Sequence, residues 1–392
     1  MLYQGGKMEM QAFKAAKYVL PGCVETQGYL VVEDGKFLGW VKQAPECDVV
    51  DLGDVWVTPG FVDTHIHGFY DNDVMDCDAE GINVARQELV KHGTTSWLAT
   101  TLTAGIEETG KACQAVAEAR EIEGYDFVGC RTQGIFLEGP FFTYEHKGAQ
   151  NPAYMLDPDY EIFSKWQQSA KGLIKKSAIA PEREGSVEYS HKLYNDGVVT
   201  AMGHSSATYD EATAAIDAGA SVFVHTYNGM SGLHHREPGL VGAAMTTTNT
   251  YAEVICDGMH INPAAVKALV NAKGWEHTFL ISDCLRCGGM PEGEYVLGEF
   301  PIVMKDGVCR LRDSDSIAGS IITIAQAVKN VYDWSVVTAE QAIRMGSEVA
   351  AKANNIADVC GYIMPGRDAD FCVLDTELNL VDTYFAGKKV EK

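Results

Sequence analysis

From about residue 58 to residue 361 the chain alternates short apolar runs with helical segments, and several of those runs end on a residue that can bind a metal. Thr94-Thr95-Ser96-Trp97-Leu98-Ala99 follows a helix that stops at Gly93, and Val198-Val199-Thr200-Ala201-Met202-Gly203 is another strand. Thr208 and Glu211 have the spacing of a capping box, in which N-cap and third helical residue exchange hydrogen bonds. That helix ends at Gly219, the strand Ser221-Val222-Phe223-Val224 follows, and Thr338 with Gln341 caps a late helix in the same way. Strands buried on both faces and separated by helices imply a parallel sheet. About 300 residues of such units suit an α/β fold closed into a (β/α)8 barrel, although an open doubly wound sheet has the same periodicity.

The two ends of the chain read differently. Tyr29-Leu30-Val31-Val32, Phe37-Leu38-Gly39-Trp40-Val41 and Asp48-Val49-Val50-Asp51-Leu52 are short strands near the start, separated by Gly, Pro and Asp. Ala369-Asp370-Phe371-Cys372-Val373-Leu374 and Leu380-Val381-Asp382-Thr383-Tyr384-Phe385 are similar strands near the end. We expect a small β-sandwich domain built from both termini, 1–57 plus 362–392, beside a catalytic barrel at 58–361. Two separate terminal hairpins are the alternative.

Composition narrows the partners. Lys plus Arg number 31 and Asp plus Glu 54, giving a net charge of −23. Non-specific nucleic-acid binding and attachment to an anionic membrane both need a basic face, so neither is expected. A small anionic substrate needs only a local basic pocket. The 11 cysteines are odd in number and scattered, which is not a disulfide framework. Met1-Leu2-Tyr3-Gln4-Gly5-Gly6 has no basic stretch leading into an apolar one, and no apolar run reaches the roughly 20 residues that span a bilayer. A cytoplasmic protein with reduced thiols is expected.

The sharpest local signal is Pro59-Gly60-Phe61-Val62-Asp63-Thr64-His65-Ile66-His67, a buried strand running into two histidines. Side chains at i and i+2 of a strand point the same way, so two imidazoles there can share one metal. Alone, such a pair more often only hydrogen-bonds. Other strand ends change the odds. Glu138 closes Gly134-Ile135-Phe136-Leu137, His204 follows Ala201-Met202-Gly203, His225 follows Val222-Phe223-Val224, and Asp283 follows Leu280-Ile281-Ser282. In a parallel barrel all strand C-termini meet at one mouth. His, Glu and Asp converging there form a ligand set for one or two divalent transition metals; zinc fits best, and iron, cobalt or manganese fit the same donors. Zinc lowers the pKa of bound water to roughly 7, and a neighbouring carboxylate can take the proton and return it to a leaving group. The expected chemistry is metal-assisted hydrolysis of an amide, ester or amidine. The chain carries neither a GxxxxGK[ST] phosphate loop nor a GxSxG nucleophile elbow.

The HxH after a strand, the later single histidines and the final strand ending in Asp resemble the amidohydrolase superfamily. Within it the chain closely resembles the N-acetylglucosamine-6-phosphate deacetylases, from about Pro59 to Asp375. The likeness rests on LEGPF (137–141), GHSSAT (203–208), HTYNGM (225–230), HHREPGLVGA (234–243), DGMH (257–260), SD (282–283) and IAGS (317–320). It implies a metal-bearing (β/α)8 barrel with a β-sandwich from both chain ends. By position, Glu138, His204 and His225 match the primary metal ligands, and His65 and His67 a pair that holds a second ion in some members. Asp283 matches the catalytic base and acid beside a metal-bound hydroxide. Asn228, Gly229 and Arg236 match sugar-phosphate contacts, and Asp257, His260, Ile317, Ala318 and Gly319 fall in further substrate segments. Ala149 and Gln150 lie in another, where some members have a histidine that polarises the acetyl carbonyl and this chain has Gln150. The implied assembly is a homodimer in which Arg236 can serve the neighbouring subunit's site.

The residues speak to some of this independently. Arg236 is a fork donor suited to phosphate and has His234 and His235 beside it. Many two-metal members bridge their ions with a carbamylated lysine; no lysine stands at a strand end here, so Glu138 has to bridge. Asn228-Gly229 replaces a frequent Asn-Ala, which a backbone contact survives. The Cys284-x-x-Cys287 pair reads as incidental loop thiols. The rivals are an N-acetylgalactosamine-6-phosphate deacetylase, another amidohydrolase such as a deaminase or cyclic-amide hydrolase, and a non-catalytic barrel that only binds.

Overall fold

The structure, a computed structural model, describes residues 10–122, 127–314 and 316–391. The stretch Met1–Gly6 scanned for a leader lies outside the described residues.

Eight parallel strands form one sheet. They are β1 (Phe61–Ile66), β2 (Thr94–Thr101), β3 (Arg131–Phe141), β4 (Ile174–Ile179), β5 (Val199–Met202), β6 (Ala220–Phe223), β7 (Tyr251–Ile255) and β8 (Thr278–Ile281). One α-helix follows each strand: α1 (Ala79–Lys91), α2 (Ile106–Glu121), α3 (Tyr160–Ser169), α4 (Ser186–Asn195), α5 (Tyr209–Asp217), α6 (Gly239–Thr246), α7 (Pro263–Lys273) and α8 (Ile324–Asp333). Each strand pairs with its sequence neighbour. The sheet closes where β8 returns to β1. There the Asp283 N–H donates to the His65 carbonyl at 2.8 Å, and Ile66 and Cys284 form a parallel bridge. This is the expected barrel, and the open sheet is set aside. The strands carry few exposed positions because helices cover their outer face and side chains fill the inside; every residue of β2 is buried. Both expected capping boxes are present, at Thr208 with Glu211 and at Thr338 with Gln341.

The chain ends share a second eight-stranded sheet. Its order runs Lys388–Lys389, Leu380–Phe385, Phe371–Leu374, Trp56–Pro59, Met10–Leu20, Cys23–Glu33, Lys36–Val41, with Asp48–Asp51 also pairing to Met10–Leu20. Phe13 and Tyr384 sit three strands apart in that order, about 14 Å in a flat sheet. Their ring centroids are 5.1 Å apart, so the sheet folds over on itself and buries an aromatic layer as a sandwich does. Phe371 stacks on Tyr384 at 4.4 Å and meets Phe13 edge-on at 4.9 Å.

The runs read as strands leave out Met10–Leu20 and a meander at the barrel mouth. Between β8 and α8 an antiparallel meander of three strands, Gly293–Leu297, Phe300–Lys305 and Val308–Leu311, stands beside the barrel mouth. Its first turn is tied down by Glu299, which accepts from Asn151 Nδ2 at 2.6 Å and Tyr154 Oη at 2.9 Å.

Candidate metal centre and substrate cavity

Three of the candidate residues leave their strands through a strained backbone. His204, His225 and Asp283 have φ of 46°, 28° and 51°, the left-handed region that L-residues avoid. The turn swings each side chain from the barrel wall over the mouth. Gly139, with φ of 97°, does the same for the chain after Glu138, and a Cβ there would lie 2.0 Å from Thr103 Oγ1.

All six strand-end candidates converge. Glu138 Oε1 lies 3.2 Å from His65 Nε2, 3.3 Å from His204 Nε2 and 3.2 Å from His225 Nε2. Its other oxygen, Oε2, lies 3.3 Å from His67 Nε2. Asp283 Oδ1 is 3.2 Å from His67 Nε2 and 3.4 Å from His65 Nε2. Two ligand groups result, His65–His67–Glu138 and Glu138–His204–His225, and Glu138 belongs to both.

The ring tautomers identify what these groups can hold. His204 Nδ1 faces the His146 carbonyl at 2.7 Å and His225 Nδ1 faces the Asn228 carbonyl at 3.0 Å. A carbonyl only accepts, so each Nδ1 carries a hydrogen, and in the neutral ring that binds metal each Nε2 presents a lone pair. Those two lone-pair nitrogens stand 3.0 Å apart and both face a carboxylate oxygen. Three acceptors with no proton between them are stable only around a cation. His65 Nε2, buried, has no hydrogen-bond partner. Charge agrees with the donor set. Burial opposes a proton on His65, yet Asp283, Glu138 and Glu253 hold its imidazole up at about 9. The residues therefore fit one or two divalent ions with nitrogen and oxygen ligands.

Two residues that sequence reasoning missed lie beneath this centre. Glu253, on β7, accepts from Lys176 Nζ at 2.5 Å and from the His225 backbone N–H at 3.1 Å, and its Oε2 is 3.0 Å from His65 Nδ1. Burial pushes Glu253 up, but Lys176 and His65 outweigh it and hold the carboxyl at about 2. Lys176 lies inside β4 rather than at its end, and its amine also donates to the Thr64 carbonyl at 2.9 Å. It is thus spent within the barrel, and Glu138 is the residue common to both ligand groups.

Above the centre is a cavity of about 380 Å³. Ala149, Gln150, Asn228, Gly229, His260, Ile317, Ala318 and Gly319 line it with His67, Glu138, His204, His225 and Asp283. Asp257 stands behind His260, its carboxylate 2.7 Å from His260 Nδ1. Gln150 donates from Nε2 to Glu138 Oε2 at 2.6 Å while its Oε1 accepts from the Thr103 N–H at 2.9 Å, so its amide already holds Glu138. Gly229, with φ of 60°, lies so close that a Cβ would come 3.1 Å from His204 Nδ1. Arg236 is not brought to the cavity. It is exposed on the 231–238 loop, with His235 Nε2 2.9 Å from its Nη1, and no lysine or arginine lines the cavity among the described residues. Cys284 and Cys287 are buried and outside both ligand groups; Cys287 Sγ lies 2.9 Å from Cys309 Sγ in the meander.

Known proteins resemble this chain at several distances. Residues 56–391 match the model of the amidohydrolase family. The N-acetylglucosamine-6-phosphate deacetylase of Vibrio furnissii is 36% identical over 88% of this chain and 85% of its own. The N-acetylgalactosamine-6-phosphate deacetylase of Escherichia coli O157:H7 is 35% identical over 84% of this chain and 86% of its own. Among solved structures, an N-acetyl-D-glucosamine-6-phosphate deacetylase mutant from Mycobacterium smegmatis, complexed with N-acetyl-D-glucosamine 6-phosphate, superimposes with a TM-score of 0.91. It is 30% identical and the match covers 99% of this chain and 100% of that one. With a family match over most of its length and relatives above 30% identity across it, this chain belongs to the amidohydrolase family.

Proposed function

We propose that this chain hydrolyses N-acetylglucosamine 6-phosphate to glucosamine 6-phosphate and acetate. The observation that carries the reading is Glu138 shared between two histidine groups at the floor of a cavity lined by the expected substrate contacts other than Arg236 and Asp257. Relatives named for this reaction support it.

Glu138, His204 and His225 are the residues to hold one divalent ion, and His65 and His67 with Glu138 a second; zinc suits both sets. Such ions supply a Lewis acid and make water a nucleophile near neutral pH. Asp283 faces the same point, with Oδ1 toward both His65 and His67. It takes the proton from water as the water oxygen adds to the acetamide carbon. It then returns that proton to the nitrogen as the C–N bond breaks, leaving acetate and a free amine. Gln150 keeps Glu138 in place. Asn228, Gly229, His260 and Ile317–Gly319 take the sugar phosphate.

A phosphate is best held by a fork donor, and no lysine or arginine lines the cavity among the described residues. A homodimer that brings the exposed Arg236 of one subunit to the cavity of the other supplies that donor. The eleven free thiols suit a cytoplasmic setting, and among the described residues no helix is long and apolar enough to cross a membrane.

A second reading, deacetylation of the galactosamine epimer, is favoured by the 35% identity to the Escherichia coli O157:H7 relative. Acetate release from the two epimeric 6-phosphates and from their unphosphorylated sugars tests both. We expect fastest release from the glucosamine form and little from either free sugar. Faster release from the galactosamine form gives the reaction to the epimer, and equal release with and without phosphate contradicts the substrate class.

A further inference from the structure

The Lys176–Glu253 pair is expensive to bury and has no role in the mechanism above. Both side chains are fully buried and the pair crosses the barrel interior from β4 to β7. Two ions removed from water cost several kcal/mol each, and a hydrophobic pair of similar volume often serves stability as well. Such a pair calls for another explanation.

Its geometry supplies one. The Lys176 amine has three hydrogens and three acceptors: the Thr64 carbonyl at 2.9 Å, Glu253 Oε1 at 2.5 Å, and the face of Phe136 with its centroid 3.8 Å away. Phe136 also packs edge-on against the His65 ring at 4.9 Å. Lys176 balances the charge of Glu253 and pins its Oε1, which fixes the carboxylate with Oε2 toward His65. Glu253 Oε2 then accepts from His65 Nδ1, which leaves Nε2 with its lone pair aimed at Glu138 and Asp283. His204 and His225 have their ring tautomers set by backbone carbonyls instead; Glu253 reaches His225 only at its backbone N–H, an acceptor role that Glu253→Gln would keep.

We propose that Glu253, charge-balanced by Lys176, is the positioning residue that makes His65 a ligand, so that the second ion depends on this pair and the first does not. The inference rests on the two-group reading of the site. A carboxylate behind a metal-binding histidine typically contributes 10–100-fold in affinity.

The test is metal binding by the whole chain, stripped with a chelator and titrated with zinc against a competing dye. Wild type is compared with Glu253→Gln, Lys176→Met and the double variant, each with its melting temperature. Wild type should bind two ions. Both single variants should keep the first affinity and lose about 10–100-fold in the second. The double variant buries no unpaired charge, so it should fold even where the single variants do not, and it too should lose only second-ion affinity. Unchanged second-ion affinity in a folded variant overturns the proposal. So does loss of both ions in step with the melting temperature, which marks a purely structural pair. A wild type that binds one ion overturns the proposal and leaves the deacetylase reading standing; one that binds none sinks both.

Discussion

Asp283 sits at φ 51° with its N–H on the His65 carbonyl and its own carbonyl accepting from the Ser320 N–H at 2.7 Å. A left-handed L-residue costs about 1–2 kcal/mol, which the flanking ladder bonds hold in place. Asn tolerates that conformation and matches Asp in shape, whereas Ala does not. Asp283→Asn should therefore keep fold and metal content while turnover falls by at least about 100-fold, the scale of a lost proton-transfer group. Near-normal turnover, with ions counted in the same sample, contradicts the role. The six strand-end residues were legible because each ends or follows an apolar run, and barrel topology gathers such ends at one mouth. Glu253 and Lys176 were not, because they interrupt short strands and read there as ordinary alternation. A signal was present: a charge inside a short buried strand must have a partner.

At the scale of elements, the mouth is built by loops as much as by strands. The meander after β8 contributes Leu297 to the cavity and anchors to the segment beside Gln150 through Glu299. Its turns at Gly298 and Gly307 carried the usual hairpin signal, φ of 55° and 76°, and could have been read. The long strand Met10–Leu20 is harder. Its Lys14-Ala15-Ala16-Lys17 stretch has helical propensity, and pairing with Cys23–Glu33 overrides it. Another contact between elements is titratable. Lys273, closing α7, donates to the Thr247 carbonyl at 2.6 Å just past α6, and burial pushes its amine down to about 7. The unfolded lysine titrates near 10.4, so between pH 7 and about 10 the unfolded chain holds the extra proton and stability rises with pH. Below pH 7 this contribution is lost. Lys273→Met should remove a rise on the order of 4 kcal/mol across that window. Unfolding midpoints of both proteins at several pH values check it; identical pH slopes contradict it.

The whole molecule combines a barrel whose mouth gathers the metal-binding side chains with a folded terminal sheet, and among the described residues no lysine or arginine lines the cavity. If Arg236 completes the neighbouring site, two defective chains can repair each other. Arg236→Ala should raise KM for the phosphorylated sugar far more than it lowers kcat, since a phosphate contact away from the reacting carbon binds substrate and transition state alike. Refolded mixtures of Arg236→Ala and Asp283→Asn chains should then regain at low substrate an activity that neither has alone. In a mixed dimer one site has both an intact Asp283 and an intact Arg236 from its neighbour. A mixture no better than the sum of its parts contradicts the shared site. The most direct measurement is acetate release from N-acetylglucosamine 6-phosphate by the intact chain, first stripped of metal and then reloaded with counted zinc. The stripped protein should show no turnover and the reloaded protein turnover that rises with ions bound; full activity without metal, or none after reloading, would contradict metal-dependent deacetylation.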